Sequence, residues 1–261
     1  MAVLDNAAQV LRCFGSDCTE LTVTDVATRL GMPKANASRL LKAMREAGLL
    51  ETIGDSKRHR PGRLFLTITA AFRSSSLLLG LASEAVTRIV AGCGHTGYVS
   101  VRDGREVLAV TYRPGSNALR VVTSIGRRLP AHAAATGRTL LARMPDAAVA
   151  ALFAGGLPPA SPRAPQTVPE LLDRLAVVRQ QGFEESSDAA LAGVDALAVA
   201  VGDPVQGELV SLCIVFPGAV VGPEERRLIR QDLLREAAEI ARITGDADFR
   251  APEPEIDGAI A

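Results

Sequence analysis

Between Lys34 and Arg60 the chain gathers side chains suited to hydrogen bonding and charge neutralisation on a polyanion. In "GMPKANASRLLKAM", the residues Ala37, Leu40, Leu41 and Met44 recur at i, i+3, i+4 and i+7, which makes them the inner stripe of an amphipathic helix. The 100° step then puts Ala35, Asn36, Arg39, Lys42 and Ala43 on the outer face, with Lys34, Ser38 and Arg45 at its flanks. Asn and Arg can make two-pronged contacts with adenine and guanine edges, Lys and Ser can hold phosphate, and short side chains such as Ala35 allow close approach to a groove. A second basic cluster, Lys57, Arg58 and Arg60 in "GDSKRHRPG", follows it. From Pro33 to Arg63 eight basic residues stand against three acids, whereas the whole chain balances 29 Lys+Arg with 29 Asp+Glu, so the positive charge is local. The competing interpretation is an ordinary solvated helix face, which is also commonly rich in Lys and Arg.

Elements that can position these residues are legible around them. Ala7, Val10, Leu11 and Phe14 form one more stripe of helical period, and Val23, Val26, Ala27 and Leu30 another. Such short helices are unstable alone and must pack together. Thr22 and Asp25 have the spacing of an N-terminal capping box, Gly31 is placed to end that helix in a left-handed conformation, and Pro33 belongs to the first turn of the next helix. Two short helices joined by a glycine-containing turn form a helix-turn-helix, whose second helix enters the DNA major groove. Thr24, in the first turn of the second helix, is counted with the DNA-facing set. After Gly48 the spacing predicts a strand over Leu49–Ile53, a basic turn, and a second strand over Arg63–Thr67, a wing able to reach backbone or minor groove. His59 is read as a solvated residue of that turn. A connector of helical pattern runs from about Leu64 to Leu79.

Other chemistry is poorly represented. Cys13, Cys18, Cys93 and Cys213 match no paired zinc pattern, so neither a metal nor a cofactor is expected. No nucleophile has a Gly-x-Ser-x-Gly elbow; an enzyme using His132 or His95 with Cys93, Cys213 or a serine is the weaker alternative, and "GCGH" at Gly92–His95 reads as a helix end with its turn. The 261 residues, 48% hydrophobic, suffice for two domains. No apolar run approaches the roughly 18 residues of a membrane span, and the start lacks a basic segment followed by an apolar one, so a cytoplasmic protein without a membrane partner is expected.

Taken together, "LTVTDVATRLGMPKANASRLLKAMREAGLLE", "GRRLPAHAAATGRTLLARMP" and "LAVVRQQGFEESSDAALAGVDALAVAVGDPVQGELVSLCIVFPG" resemble, in order and spacing, three blocks of the IclR family of transcriptional regulators. The resemblance implies an α+β protein: a winged helix-turn-helix DNA-binding domain over 1–67, a linker helix over 68–80, and a GAF-like α/β effector-binding domain over 81–245; the acidic stretch at 246–261, interrupted by prolines and a glycine, is expected to be a disordered tail. The residue pattern agrees with a meander of strands in "TGYVSVRD", "REVLAVTYRP" and "ALRVVTSI", broken by Asp-Gly and Pro-Gly turns. A helix over Leu81–Ala91 precedes these segments; helices over Ala134–Arg143, Asp146–Phe153, Val168–Gln181 and Pro223–Thr244 follow them, with strands in "DALAVAVGD" and "ELVSLCIVF".

Carried over by motif position, the family's effector pocket falls on His132, Ala134, Ala135 and Thr136, on Ser186, Ser187 and Asp188, and on Ala196, Cys213 and Val215. Free N–H groups at a helix start beside tiny side chains attract carboxylate; His132 could orient an anion or simply be packed. The chain departs from the family where hydroxyls are usual: the last strand reads Cys213-Ile214-Val215-Phe216-Pro217, and Ala196 replaces a cysteine. A larger or more apolar ligand than a short keto acid, such as an aromatic acid, is therefore expected. The resemblance further implies a regulator of a catabolic operon, binding double-stranded operator DNA of pseudo-palindromic form as a homodimer or homotetramer. A metabolite-sensing protein-interaction module without DNA binding is the alternative.

Overall fold

The computed structural model describes residues 3–15 and 18–250, and the chain falls into two compact units, Met1–Ser76 and Leu77–Ala261. The division lies inside the span expected for the linker.

In the first unit, helices α1 (Val3–Arg12), α2 (Val23–Leu30) and α3 (Lys34–Glu46) bury Ala7, Val10, Val26, Ala27, Ala37, Leu41 and Met44 in one cluster. The entry to α2 follows its sequence. Thr22 accepts a hydrogen bond from the Asp25 amide at 3.2 Å, and the Asp25 carboxylate accepts from the Thr22 amide at 2.8 Å. Gly31 ends the helix at φ 62°, a conformation that carries no steric penalty only for glycine. Pro33 stands one position earlier than expected, as the cap residue of α3.

Strands β1 (Leu21–Thr22), β2 (Leu50–Thr52) and β3 (Arg58–Pro61) form an antiparallel sheet in the order β1-β3-β2. The second strand of the wing is therefore Arg58–Pro61, with Leu50 opposite Pro61 and Thr52 opposite His59, rather than Arg63–Thr67. The shorter turn closes when the Ile53 amide donates to the Arg58 carbonyl, and Leu64–Ser75 is free to form helix α4. His59 is corrected with it. As part of the central strand it is 8% exposed rather than solvated, and its Nδ1 has no partner.

The second unit begins with α5 (Leu77–Cys93), four residues before the expected start at Leu81; α4 and α5 are separate helices with Ser76 between them, where one continuous connector was expected. Strands β4 (Thr96–Asp103), β5 (Glu106–Arg113), β6 (Arg128–Pro130), β7 (Glu184–Ser187), β8 (Val194–Asp203) and β9 (Glu208–Pro217) form one antiparallel sheet in the order β6-β5-β4-β9-β8-β7. Strand alternation separates its faces. Leu197, Val199 and Val201 with Leu212, Ile214 and Phe216 pack against α5 and α9 (Pro223–Thr244). Ala198, Cys213 and Val215 point the other way, joined by Tyr98 and Ala135, and that face also carries α6 (Ala135–Ala142), α7 (Asp146–Leu152) and α8 (Val168–Gln181). The segment "ALRVVTSI" is not a strand. At the other end, Asp246 is buried, pairs with Arg143 at 2.5 Å and accepts from the Gly202 amide at 2.7 Å, which removes it from the expected disordered tail. The part of that tail at 251–261 lies outside the described residues.

Candidate nucleic-acid interface and ligand cavity

On α3 the residues Lys34, Ala35, Asn36, Ser38, Arg39 and Lys42 are all exposed, and so is Thr24 on α2. Arg39 donates to Asn36 Oδ1 at 2.6 Å, which holds the two best base-reading groups side by side one turn into the helix. Lys42 lies 3.8 Å from Glu46, an exposed pair of small energetic value. No side chain caps the first turn of α3, and the Asn36 amide donates to the Pro33 carbonyl at 2.9 Å, so among the described residues the amides of Lys34 and Ala35 are the ones left open.

The wing is less cationic than its composition. Arg58 is paired with Glu20 at 3.2 Å and Arg60 with Glu51 at 2.6 Å, while Arg63 lies 3.8 Å from the same Glu51. Lys57, exposed at the turn, has no partner among the described residues. His59, beneath them, has its proton affinity lowered first by burial and then by Arg45, so it contributes no charge at neutral pH.

The second unit holds a cavity to which all six strands of the sheet contribute: Tyr98 and Ser100 from β4, Val107 and Ala109 from β5, Leu129 from β6, Ser186 from β7, Val194 and Ala196 from β8, and Val215 from β9. It is completed by Ala134, Ala135 and Thr136, by Val121, Thr123 and Arg127, and by Ala190 and Leu191. The cavity volume is about 40 Å³, where one water needs roughly 10–15 Å³. Helix α6 starts at its wall with Ala134 as an uncapped N-cap residue, and Thr136 Oγ1 is buried there without a hydrogen-bond partner. Gly137 fixes the approach of this helix, because a Cβ would strike the Ala131 carbonyl.

Of the ten residues carried over by motif, Ala134, Ala135, Thr136, Ser186, Ala196 and Val215 are brought together around this cavity. Cys213 belongs to the buried cluster with Tyr98 and Ala135 but is not in the lining. Burial pushes its thiol up to about 12, and the Tyr98 phenol is raised by burial and then by Cys213, so neither is a nucleophile at neutral pH. Three others lie away from the lining. Ser187 is exposed. Asp188, at φ 56°, accepts from the Gly193 amide at 2.6 Å and shapes its own loop. His132 is fully buried, edge-on to Phe153 with centroids 6.1 Å apart, and neither ring nitrogen has a partner. Burial, Arg138 and Arg105 all lower its proton affinity, which makes it a neutral packed group.

The cavity residues that motif position misses are those on β4, β5 and β6, those in the 121–127 segment, and Ala190, Leu191 and Val194. Alternation along "TGYVSVRD" was the available signal for Tyr98 and Ser100; nothing local marks Arg127. A buried ion cluster was also missed: Glu184, 0% exposed, pairs with Arg138 and Arg174, each at 2.8 Å, and Arg138 also donates to the carbonyls of His132 and Ala133. This ties the turn before α6 to strand β7, two neighbouring parts of the cavity wall.

Among the described residues no group of His, Cys, Asp and Glu could hold a metal ion, and no single helix is long and apolar enough to cross a membrane.

Comparison with known proteins adds the following. Residues 3–54 match the family description "IclR helix-turn-helix domain", and residues 73–242 match "Bacterial transcriptional regulator IclR C-terminal". The HTH-type transcriptional regulator XynR of Escherichia coli is 26% identical over 93% of this chain and 96% of its own length. The HTH-type transcriptional regulator TtgV of Pseudomonas putida is 27% identical over 96% of this chain and 94% of its own. In fold, an IclR transcriptional regulator from Alicyclobacillus acidocaldarius superposes with a TM-score of 0.83 at 23% identity, covering 93% of this chain and 98% of that one. An IclR homolog from Microbacterium hydrocarbonoxydans, solved in complex with 4-hydroxybenzoate, superposes with a TM-score of 0.78 at 21% identity, covering 94% and 100%.

Proposed function

The chain belongs to the IclR family of bacterial transcriptional regulators, and from that premise we propose that its first unit reads a DNA operator through α3 while its second unit senses a small aromatic carboxylate. The chain is a ligand-responsive DNA-binding regulator and not an enzyme. The observation that carries the proposal for the ligand is the cavity itself: every strand of the sheet lines it, its walls are largely apolar, no carboxylate side chain is among them, and Thr136 Oγ1 lies beside the uncapped start of α6. Ala196 and Val215 in the lining leave flat apolar surface where an aromatic ring can pack. The neighbour of like fold that holds 4-hydroxybenzoate supports the same ligand class.

A single reading helix offers too little area for tight specific binding, so the operator-bound form is a homodimer on a pseudo-palindrome, able to pair further into a tetramer. Helix α4 supports a contact between copies: Leu64, Ile68 and Phe72, at i, i+4 and i+8 on one face, are 42%, 51% and 55% exposed, an apolar stripe that a monomer rarely leaves in water. The genes controlled are those for breakdown of the sensed acid. Selecting genomic fragments bound by the full chain, with and without benzoate, 4-hydroxybenzoate and phenylacetate, tests this. Recovery of one pseudo-palindromic site whose occupancy changes with an aromatic acid is expected; a response to pyruvate or glyoxylate with none to the aromatic acids contradicts the ligand assignment.

A further inference from the structure

We propose that Arg127, rather than the start of α6, is the residue that receives the ligand's carboxylate, and that α6 with Thr136 receives a second polar substituent. This rests on the cavity being the sensing site.

Arg127 is the only charged side chain in the lining. It is partly buried, and among the described residues its guanidinium makes no hydrogen bond and no ion pair. Its neighbour shows that the omission is local. Arg128 is held by Asp103 at 2.7 Å and Glu106 at 3.0 Å, whereas Arg127 is fixed only through its backbone, which accepts from the Ala109 amide at 3.0 Å and donates to Ser124 at 3.2 Å. The Arg127 charge reaches the Tyr98 phenol in the cavity floor. A guanidinium without a carboxylate partner, at the wall of a largely apolar cavity, has the chemistry of an anion anchor.

Two features of the wall attract negative charge, and magnitude separates them. The start of a helix carries about half a positive charge, and α6 spans only Ala135–Ala142. Arg127 carries a full charge and presents a planar fork that meets a carboxylate with two parallel hydrogen bonds, each roughly twice as strong as one from a neutral N–H. The carboxylate therefore goes to Arg127. The α6 wall keeps Thr136 Oγ1, a hydroxyl able to donate and accept, which suits a phenol hydroxyl or carbonyl. Between the two anchors the lining is Tyr98, Ala109, Ala196 and Val215, a surface for a ring. The class of ligand this selects is a monocyclic aromatic acid bearing a second hydrogen-bonding group.

Calorimetry on the full chain tests the assignment with benzoate, 4-hydroxybenzoate, 3,4-dihydroxybenzoate and phenylacetate, each beside its neutral primary amide. At least one hydroxylated acid is expected to bind the wild type, and Arg127→Gln to weaken it about 20-fold while changing the matched amide by no more than about 3-fold. Arg127→Lys, which keeps the charge and loses the fork, should fall between the two. A circular dichroism melt of each variant separates lost binding from lost folding. Acid binding that survives Arg127→Gln, or equal loss of acid and amide in a folded variant, overturns the Arg127 assignment and leaves the cavity as the site. Failure of every acid and amide to bind the wild type overturns both the assignment and the site.

Discussion

Helices α3 and α6 both begin without a side-chain cap, yet the two starts stand in opposite surroundings. Around the start of α3 stand Lys34, Ala35, Asn36 and Ser38, all in solvent. Around the start of α6 stand Ala133, Ala134, Ala135 and Thr136, all buried. Open amide groups are common to both and attract negative charge in both. What differs is the access: an exposed, cationic start meets a phosphate backbone of any length, whereas a start walled in by small side chains and sheet admits only a small molecule. The arginines follow the same division. Arg39 is exposed and tied only to Asn36, while Arg138 is 3% exposed and donates through its two terminal nitrogens to Glu184 and two carbonyls, its Nε alone lacking a partner.

The contrast can be broken most severely at the buried cluster. Glu184→Ala leaves Arg138 buried without its carboxylate and should cost the second unit about 3–5 kcal/mol in urea unfolding. A change below about 1 kcal/mol would mean that the cluster is no more than a surface ion pair. Arg39→Ala removes the side chain proposed to read a base without disturbing any core residue; operator binding at fixed salt should weaken by about 1–3 kcal/mol, with relaxed preference at one base position. Uniform weakening across sequences would reassign Arg39 to phosphate. Arg60→Ala, already neutralised by Glu51, should do less than Arg39→Ala in the same assay. The smallest effect concerns pH. His132 has a lowered proton affinity in the fold, so the unfolded chain takes up its proton first as pH falls. Its stabilising contribution is complete above about 6.5 and is lost progressively below it. Melting of the wild type should therefore fall more steeply between about pH 7 and pH 5.5 than that of His132→Gln; parallel curves would show that other groups set the slope.

Legibility in the sequence followed how local the determining interaction is. The Thr22–Asp25 box, the Gly31 stop and the spans of α8 and α9 were readable because each is set within one or two helical turns. The second wing strand was misplaced because "RLFLT" has the apolar richness of a strand, while the observed strand, "RHRP", carries three basic or imidazole groups and is recognisable only from its partners Leu50–Thr52 and Leu21–Thr22. Strand β7 escaped for a similar reason. In "EESS" the inward residues are Glu184 and Ser186, so alternation of apolar and polar residues is absent, and burial of Glu184 depends on Arg174 of the preceding helix and on Arg138, 46 residues away. The segment "ALRVVTSI" shows the converse: Leu119, Val122 and Ile125 look like a strand and stay exposed, while Val121, Thr123 and the nearby Arg127 turn into the cavity. Motif position found the α6, β8 and β9 walls of the cavity. It did not find the β4–β5 side, where side chains converge through sheet pairing rather than through sequence neighbours.

The central claim is that the small molecule held in one unit controls the DNA affinity of the other. It is tested most directly by titrating the selected operator with the full chain at fixed salt, with and without a saturating aromatic acid that calorimetry shows to bind. A change in operator affinity of about 5-fold or more is predicted. Identical affinity with the acid bound would contradict it.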